Sequence, residues 1–499
     1  MNKKLTISAL LLVVTILFLP SISMAGQPWK VNVVEKNGEP VRWPYNSSSK
    51  KWILEWYVDP GPLVKGADPA HDIDSRTAVE DWIMPMLNDW EGVSLIYKVG
   101  KPAVKTTAID FVYKGLMTGV DTDIDVRDYT NFTTDRDDIA SPPPPVVIFD
   151  PDGSIIKDIC LKGGDSEEYC ECVRGGSVAT DGEGKPICGG SMVGQAYPFP
   201  DSRTKVFKSG YIILNGRMID GISTANNQEM DPGDDGKFKG FRAVIKHEFG
   251  HLLNLDHSQI NIDIAERCRP SDEAACSTPT AIGTMYPSMK NSNQYSLHMD
   301  DQIAISFLYP TQDFLDKFCM IKGTILDSAG KPMQGVNVLA SNMDGSQDIR
   351  AFVSGALYPP GSENGDYVLA GIVPGEQYGV RYEELLEDYN AVEGSEFGPL
   401  GKDSPTGFGS GTIAGPGGSA TVACKEGGEI IEMPAKKMFA GGDDVSNPTL
   451  TTSENRFGKG WCQLQSNRFF SGKEFLFYFA PFFFFFSLLI FRRCKVKIK

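Results

Sequence analysis

The sequence has little positive charge for its size. It carries 48 lysine and arginine residues against 64 aspartate and glutamate residues, a net charge of −16 at pH 7. Because an acidic surface repels phosphate backbones, we exclude nucleic acid as a partner and regard divalent cations as plausible partners. A small disulfide-stapled peptide is excluded too, since the chain has 499 residues, 41% of them hydrophobic. At about 150 residues per domain, this length predicts about three domains.

Histidine is also scarce, with five residues in the chain, yet three of them lie between positions 247 and 257. In the segment His247-Glu248-Phe249-Gly250-His251, the two histidines are four residues apart. Residues at this spacing share one face of a helix, so both imidazoles can bind one metal ion while Glu248 reaches the adjoining space. The pattern predicts a metal-binding helix. The alternative is a structural helix whose histidines are satisfied within the core.

A third ligand requires this helix to end. If the helix continued, His257 would lie about 15 Å along its axis from His247 and on another side. Asn254 stands at the turning position, and asparagine tolerates a positive φ at a cost on the order of 1 kcal/mol. A reversal there would bring His257 back as the third ligand. Three neutral imidazoles with one open position are typical of a catalytic zinc, whereas structural sites use four protein ligands, usually including thiolates.

This motif, followed by Thr284-Met285-Tyr286-Pro287, resembles the metzincin metallopeptidases, and the matrixin branch in particular. The resemblance covers residues 41–313 and implies an α+β catalytic domain, a twisted mixed sheet with an active-site helix, that binds one catalytic Zn²⁺ through the three histidines. Glu248 would act as the general base toward the attacking water. Met285 would form the floor of a methionine turn beneath the ligands. The implied activity is zinc-dependent hydrolysis of peptide bonds.

The resemblance also implies where a protein or peptide substrate binds. Pro287 would line the S1′ pocket, and the stretch Gly194-Gln195-Ala196 resembles the edge strand along which substrate extends. The sequence departs from animal matrixins at Asn254, which replaces a glycine, and in a longer segment after the third histidine. No cysteine precedes Cys160, so latency through a cysteine switch is not expected.

The rest of residues 41–313 shows mixed α/β patterning. The segment 52–58 is predicted as a strand. Asp74 is predicted to cap a helix whose apolar residues recur at helical spacing, with a kink at Pro85. Residues 151–192 contain four cysteines and are predicted to form a Cys-rich surface insertion.

A calcium site is considered at the aspartates 121, 123 and 125, because their spacing imitates the start of an EF-hand loop. The glycine expected at the sixth position is Val126, and the glutamate expected at the twelfth is Phe132, so the segment is not an EF-hand. Two interpretations remain open: a solvated acidic loop, or an irregular Ca²⁺ site.

From residue 319 to 438 the pattern changes to short strands separated by turns rich in glycine and proline. The segments 335–338, 365–369 and 372–375 resemble carboxypeptidase regulatory-like domains, which are transthyretin-type β-sandwiches. This region carries no residues with an evident chemical role. A spacer or binding role is predicted for it.

The two ends predict export and anchoring. Residues 1–25 are typical of a signal peptide, and residues 26–40 form a short N-terminal segment. Export would place the ten cysteines in an oxidising space, where most should pair. A polar linker at 439–474 leads to an uncharged apolar run at 475–491, which predicts a transmembrane segment, followed by a basic cytoplasmic tail at 492–499.

The predicted fold class is therefore an α+β metzincin catalytic domain followed by an all-β sandwich and a C-terminal transmembrane segment. The predicted protein is an exported zinc endopeptidase at the cell surface, either anchored in the membrane or released after C-terminal processing. The alternative is a catalytically weak or inactive surface adhesin that retains a metzincin fold. Retention of Glu248 argues against it, since nothing structural requires a carboxylate there.

Overall fold

The structure is a computed structural model, and not all of the chain is described. The described residues are 40–65, 72–118, 123–133, 142–175, 192–201, 206–221, 238–261, 282–286, 292–344, 348–358, 364–385, 405 and 407–438. The predicted signal peptide, the linker at 439–474, the apolar run at 475–491, the basic tail and Pro287 lie outside these residues.

The first region, residues 40–318, is built on a six-stranded mixed sheet with a separate two-stranded one. Its strands are β1 (Tyr45–Asn46), β2 (Lys51–Val58), β3 (Ser94–Leu95), β4 (Val104–Lys105), β5 (Ile109–Leu116), β6 (Val146–Asp150), β7 (Gly194–Pro200) and β8 (Phe207–Asn215). The order in the large sheet is β1-β2-β6-β8-β7, with β5 also paired to β2, while β3 pairs with β4. Strands β2, β5, β6 and β8 are parallel, and β7 runs antiparallel at one edge. Every residue of β6 is buried, as expected of a parallel strand covered on both faces.

Helices cover this sheet. They are α1 (Ser75–Thr77), α2 (Met84–Glu91), α3 (Thr130–Thr133), α4 (Ser154–Lys162), α5 (Glu167–Val173), α6 (Lys239–Leu252), α7 (Met299–Leu308) and α8 (Gln312–Lys317). A π-helix at Ala78–Ile83 joins α1 to α2, and 3₁₀ turns occur at Gly216–Ile219, Ser292–Tyr295 and Pro416–Gly418. Asp74 caps α1 as predicted, accepting a hydrogen bond from the Thr77 N–H at 2.7 Å. Pro85 lies in the first turn of α2, where its missing N–H costs nothing, and the irregularity falls in the π-helix just before it.

Helix α6 packs its apolar face on the sheet and on α2. Phe241, Ile245 and Phe249 are fully buried in the main core. The ring of Phe249 meets that of Trp56 from β2 edge to face, with centroids 5.8 Å apart. This packing holds the 14-residue helix across the sheet next to its antiparallel edge strand.

The second region, residues 319–438, consists of strands. They are β9 (Cys319–Leu326), β10 (Val336–Asn342), β11 (Ile349–Val353), β12 (Asp366–Ile372), β13 (Tyr378–Glu384), β14 (Gly411–Thr412), β15 (Ile430–Glu432) and β16 (Lys436–Lys437). One sheet has the order β11-β10-β13-β14, and the other has β12-β9-β15 with β16 also paired to β9. Residues of both sheets, such as Val338 and Ile321, share one buried cluster.

The two regions are packed together. Val368 and Ala370 of β12 lie in the main core of the first region, beside Ile303 of α7. Gly371 has a φ of +66°, and a Cβ there would overlap the side chain of Ile303. Glycine is therefore required both by the conformation and by the closeness of α7.

The predicted fold class is wrong. The described residues form a β-rich mixed α/β fold with sixteen strands and eight mostly short α-helices, and its two regions share a core. The prediction of a transmembrane segment is not supported, because no helix in the described part of the chain is both long and apolar enough to cross a bilayer, and residues 475–491 lie outside that part. Even α6, with 14 residues, falls short of the roughly 20 that a span needs. Membrane anchoring is accordingly withdrawn.

Disulfides occur in both regions. Cys160 pairs with Cys170 between α4 and α5, and Cys319 pairs with Cys424 across the second region. Cys172 is also disulfide-bonded. These bonds are compatible with an oxidising, extracellular environment.

Candidate metal centre

The end of α6 is fixed by hydrogen bonds to its last carbonyl groups. Trp43 donates from its indole nitrogen to the Leu252 oxygen at 2.8 Å, and Tyr309 donates from its hydroxyl to the Leu253 oxygen at 2.9 Å. Both contacts come from residues far away in the sequence. They satisfy carbonyl groups that a helix end otherwise leaves without partners.

The predicted reversal after Leu253 is confirmed. Asn254 has a φ of +75°. Its N–H donates to the His251 oxygen at 2.8 Å, and the Leu255 N–H donates to the Gly250 oxygen at 2.9 Å, which is the hydrogen-bond pattern of a Schellman motif. The Asn254 side chain also donates to the Val41 oxygen at 2.9 Å, a bond that glycine could not make.

The reversal brings three imidazoles together. The ring centroids of His247 and His251 are 4.5 Å apart, and that of His257 lies 5.4 Å from the first and 4.8 Å from the second. One nitrogen from each ring lies within 4.8 Å of the other two. This is a group that could hold a metal ion, and it is the one such group among the described residues.

The hydrogen bonds of His247 and His251 leave the Nε2 atom of each ring without a proton. Nδ1 of His247 faces the Thr284 oxygen at 2.8 Å, and Nδ1 of His251 faces the Leu255 oxygen at 2.8 Å. Since a carbonyl only accepts, each Nδ1 carries the proton. The two Nε2 atoms, 2.9 Å apart, then bring two lone pairs together, an arrangement that a bound cation stabilises.

Burial keeps these rings neutral. It lowers the pKa of His247 to about 4 and the pKa values of His251 and His257 well below the ordinary value. Nε2 of His257 is buried and has no hydrogen-bond partner. A buried acceptor without a partner is costly, so this atom fits a metal ligand better than a structural core residue.

The turn that contains Met285 lies against α6 between His247 and His251. A Cβ on Gly250 would overlap the Met285 sulfur, so the helix and the turn meet at van der Waals contact. The N–H groups of Thr284 and Met285 donate to the two carboxylate oxygens of Asp301 at 2.8 and 3.1 Å. Asp301 therefore fixes the turn whose carbonyl orients His247.

The sequence analysis did not identify this role of Asp301. The N-cap of α7 is His298, and Asp301 completes the capping box by accepting from the His298 N–H at 2.8 Å. Burial raises the pKa of Asp301, while nearby Lys246 acts in the opposite direction. No local signal separates a capping carboxylate from one that also holds a distant turn.

Glu248 lies beside the start of β7. It is 1% exposed, and a Cβ on Gly194 would come within 2.7 Å of its Cγ and 3.0 Å of its Oε1. Only glycine permits this approach of strand and helix. The predicted substrate strand at Gly194, Gln195 and Ala196 forms the start of β7, at the edge of the sheet, and thus adjoins the Glu248 carboxylate.

The calcium prediction remains untested. Asp121 lies outside the described residues, and Asp125 forms an ion pair with Arg127. Asp123 lies beside Gly61, close to the buried Asp59. Burial, reinforced by the charge of Asp123, raises the pKa of Asp59 to about 7.

Comparisons with known proteins add little. No family model matches the chain, and no curated protein matches it. Among solved structures it is similar to the dioxygenase domain of a dioxygenase carbohydrate-binding protein fusion from the cellulolytic bacterium Streptomyces sp. SirexAA-E, with 14% identity, 24% of this chain and 80% of that chain covered, and a TM-score of 0.14. A likeness this slight bears on neither fold nor function.

Proposed function

We propose that this protein is an exported zinc-dependent endopeptidase of the matrixin-like type. One observation carries the proposal: the imidazoles of His247, His251 and His257 converge beside a buried Glu248 at the edge of a sheet. Three neutral imidazoles without a thiolate are a donor set that suits catalytic zinc. The disulfides support export.

His247, His251 and His257 would hold the zinc ion, which would supply Lewis-acid chemistry toward water and a carbonyl group. The protein's own contribution is the proton transfer. Glu248, which directly follows His247 on α6, would accept a proton from the attacking water and deliver it to the leaving amine. Thr284 and Leu255 hold the first two imidazoles in the tautomer that leaves Nε2 free to bind.

Strand β7 is the proposed binding edge for the substrate. An extended peptide can add to a sheet edge through main-chain hydrogen bonds, which provide affinity without strict sequence preference. The strand begins at Gly194, beside the Glu248 carboxylate. A peptide bond bound along this edge would thus lie close to the proton acceptor.

The proposal is tested by incubating the purified protein with an unfolded protein substrate, with and without a zinc chelator. We expect endoproteolysis that the chelator abolishes and added zinc restores. E248Q should retain the metal and lose activity by about 10² to 10⁴-fold, the usual contribution of a general base. The matched control is E80Q, which changes an exposed glutamate paired with Arg76.

Cleavage that survives both the chelator and E248Q would overturn the proposal. Wild-type protein that binds zinc but cleaves no unfolded substrate would instead favour the inactive binding protein. Equal loss of activity in E80Q and E248Q would show that the assay reports stability and not proton transfer.

A further inference from the structure

The third histidine is held differently from the other two. His247 and His251 lie on α6, and each has its Nδ1 fixed by a carbonyl oxygen. His257 follows the helix end, and its Nε2 has no hydrogen-bond partner. Its position is therefore set by the segment that carries it, Asn254–Asn261, both ends of which have a positive φ.

The residue after His257 is tied to the second region through a buried carboxylate. The Ser258 hydroxyl donates to Asp300 Oδ2 at 2.7 Å, and Asp300 Oδ1 accepts from the Ala351 N–H of β11 at 2.9 Å. Asp300 is 4% exposed. One carboxylate in the first turn of α7 thus links the segment Asn254–Asn261, called the metal segment below, to an edge strand of the second region.

The following two residues are anchored there as well. The Gln259 carbonyl accepts from the side-chain amide of Asn337 at 2.8 Å, and Asn337 is fully buried on β10. Ile260 packs in a small buried cluster with Leu339 and Ala351. Three consecutive residues after His257 therefore each contact, directly or through Asp300, strands β10 and β11.

The methionine turn shares this support. Ile282 and Tyr286, which flank it, belong to the hydrophobic cluster of the second region. The Ser258 N–H donates to the Met285 oxygen at 2.9 Å, which joins the turn to the metal segment. The cavity left between His257, Asp300 and β11 is only about 20 Å³, roughly the space of one water.

We propose that the second region is a structural part of the metal site, and that through Asp300 and Asn337 it positions His257 for metal binding. Ser258, Asp300 and Asn337 are positioning residues, since each acts on the metal through the backbone that carries His257. The proposal rests on metal binding by the three histidines and does not depend on peptidase activity.

The test compares the metal affinity of five single variants of the full-length protein: two that remove an anchor, two controls and the conservative variant S258T. S258A and N337A each remove one anchor of the segment. S306A removes a buried hydroxyl that bonds Thr106 in the first region, and S354A removes a buried hydroxyl that bonds Met333 within the second. After chelator treatment, each protein is titrated with Co²⁺ and Zn²⁺ against a chromophoric competitor, and the visible spectrum of the Co²⁺ form is recorded.

We expect S258A and N337A to bind either metal roughly 10-fold more weakly, the lower range for residues that orient a ligand, and to show an altered Co²⁺ spectrum. The two controls should keep the wild-type affinity and spectrum even where thermal unfolding of the metal-free protein shows lower stability. S258T retains the hydroxyl and should restore the affinity. If N337A does not fold, S258A and S258T decide the matter.

Unchanged affinity in S258A and N337A, or an equal loss in the two controls, would overturn this proposal alone. A wild-type protein that binds no metal would overturn it together with the proposed function. A protein that binds metal with the expected variant pattern but cleaves nothing would leave the positioning role standing and remove only the peptidase activity.

Discussion

The two regions of the molecule differ in how many ionisable side chains they bury. The first buries a large set of ionisable side chains, namely Asp59, Asp150, Asp201, Asp220, Lys246, His247, Glu248, His251, Asp256, His298, Asp300 and Asp301. Among the described residues of the second, the one buried charged side chain is Arg350, paired with Asp348. Burying a charge costs free energy unless partners compensate for it.

Backbone strain follows the same division. The non-glycine residues with positive φ in the described chain are Lys50, Phe238, Asn254 and Asn261, all in the first region. Phe238 immediately precedes α6, and the two asparagines bound the segment that carries His257. Strained backbone and buried charge together indicate a region whose sequence is adapted to a site, whereas the second region, with one buried charge and no strained non-glycine residue among its described residues, fits the supporting role proposed above.

The largest expected effect is loss of the metal. In H251A one of the three imidazoles is removed, so we expect metal content after dialysis to fall to background and proteolysis to be lost. This differs from E248Q, which should retain the metal. Elemental analysis of the two purified variants checks the contrast. Full metal content in H251A would show that the ion binds elsewhere.

The next largest effect concerns how much the Cys319–Cys424 disulfide stabilises the second region. Removal of the Cys319–Cys424 disulfide, which closes a loop of 105 residues, should lower the free energy of unfolding by about 2 to 5 kcal/mol. Removal of Cys160–Cys170, with a separation of 10, should cost less because the shorter loop loses less entropy on closure. Denaturant unfolding of the two double-serine variants measures both, and a larger loss in the second variant would contradict this account.

A smaller effect concerns the buried charges of the first region. Burial raises the pKa of Asp150 to about 7, although its carboxylate accepts from the Ile155 and Ile156 N–H groups. The folded state then holds the proton more tightly than the unfolded state. The resulting stabilisation is complete below about pH 4 and is lost as the pH rises toward 7.

The measurement is the free energy of unfolding as a function of pH for wild type and D150N. The wild type should lose stability between pH 4 and 7 faster than D150N, by at most about 1.4 kcal/mol per pH unit, the value for one proton. Equal slopes in the two proteins would show that Asp150 does not titrate in this range.

The smallest effect concerns the turn between the second and third ligands. N254A keeps a Cβ at positive φ but loses the side-chain amide, and with it the bond to the Val41 oxygen, so we expect a loss of stability of about 1 to 2 kcal/mol. N254G loses the same bond, but glycine adopts a positive φ without a steric cost, so it should lose less. Thermal unfolding compares the two variants, and a greater loss in N254G would show that a Cβ is not strained at this position.

The sequence pattern predicted those features correctly that depend on residues close together in the chain. The spacing of His247 and His251 placed two imidazoles on one face, and Asn254 at the end of the apolar helix predicted the reversal. The strand predicted at 52–58 is confirmed as β2. In each case neighbouring residues decide the conformation, so their order is enough.

Hydropathy reports composition alone. The uncharged run 475–491 has the composition of a membrane span, but crossing a bilayer also requires a helix of about 20 residues. No helix in the described part of the chain meets that requirement, and the run lies outside that part.

By itself the sequence determined which three histidines come together, the helix that carries two of them and the turn that returns the third. Only the tertiary structure decided what holds them in place. Thr284 lies 37 residues from His247, and Ala351 lies 51 residues from Asp300. Contacts between residues so far apart depend on how whole elements pack, and no short-range pattern encodes that packing.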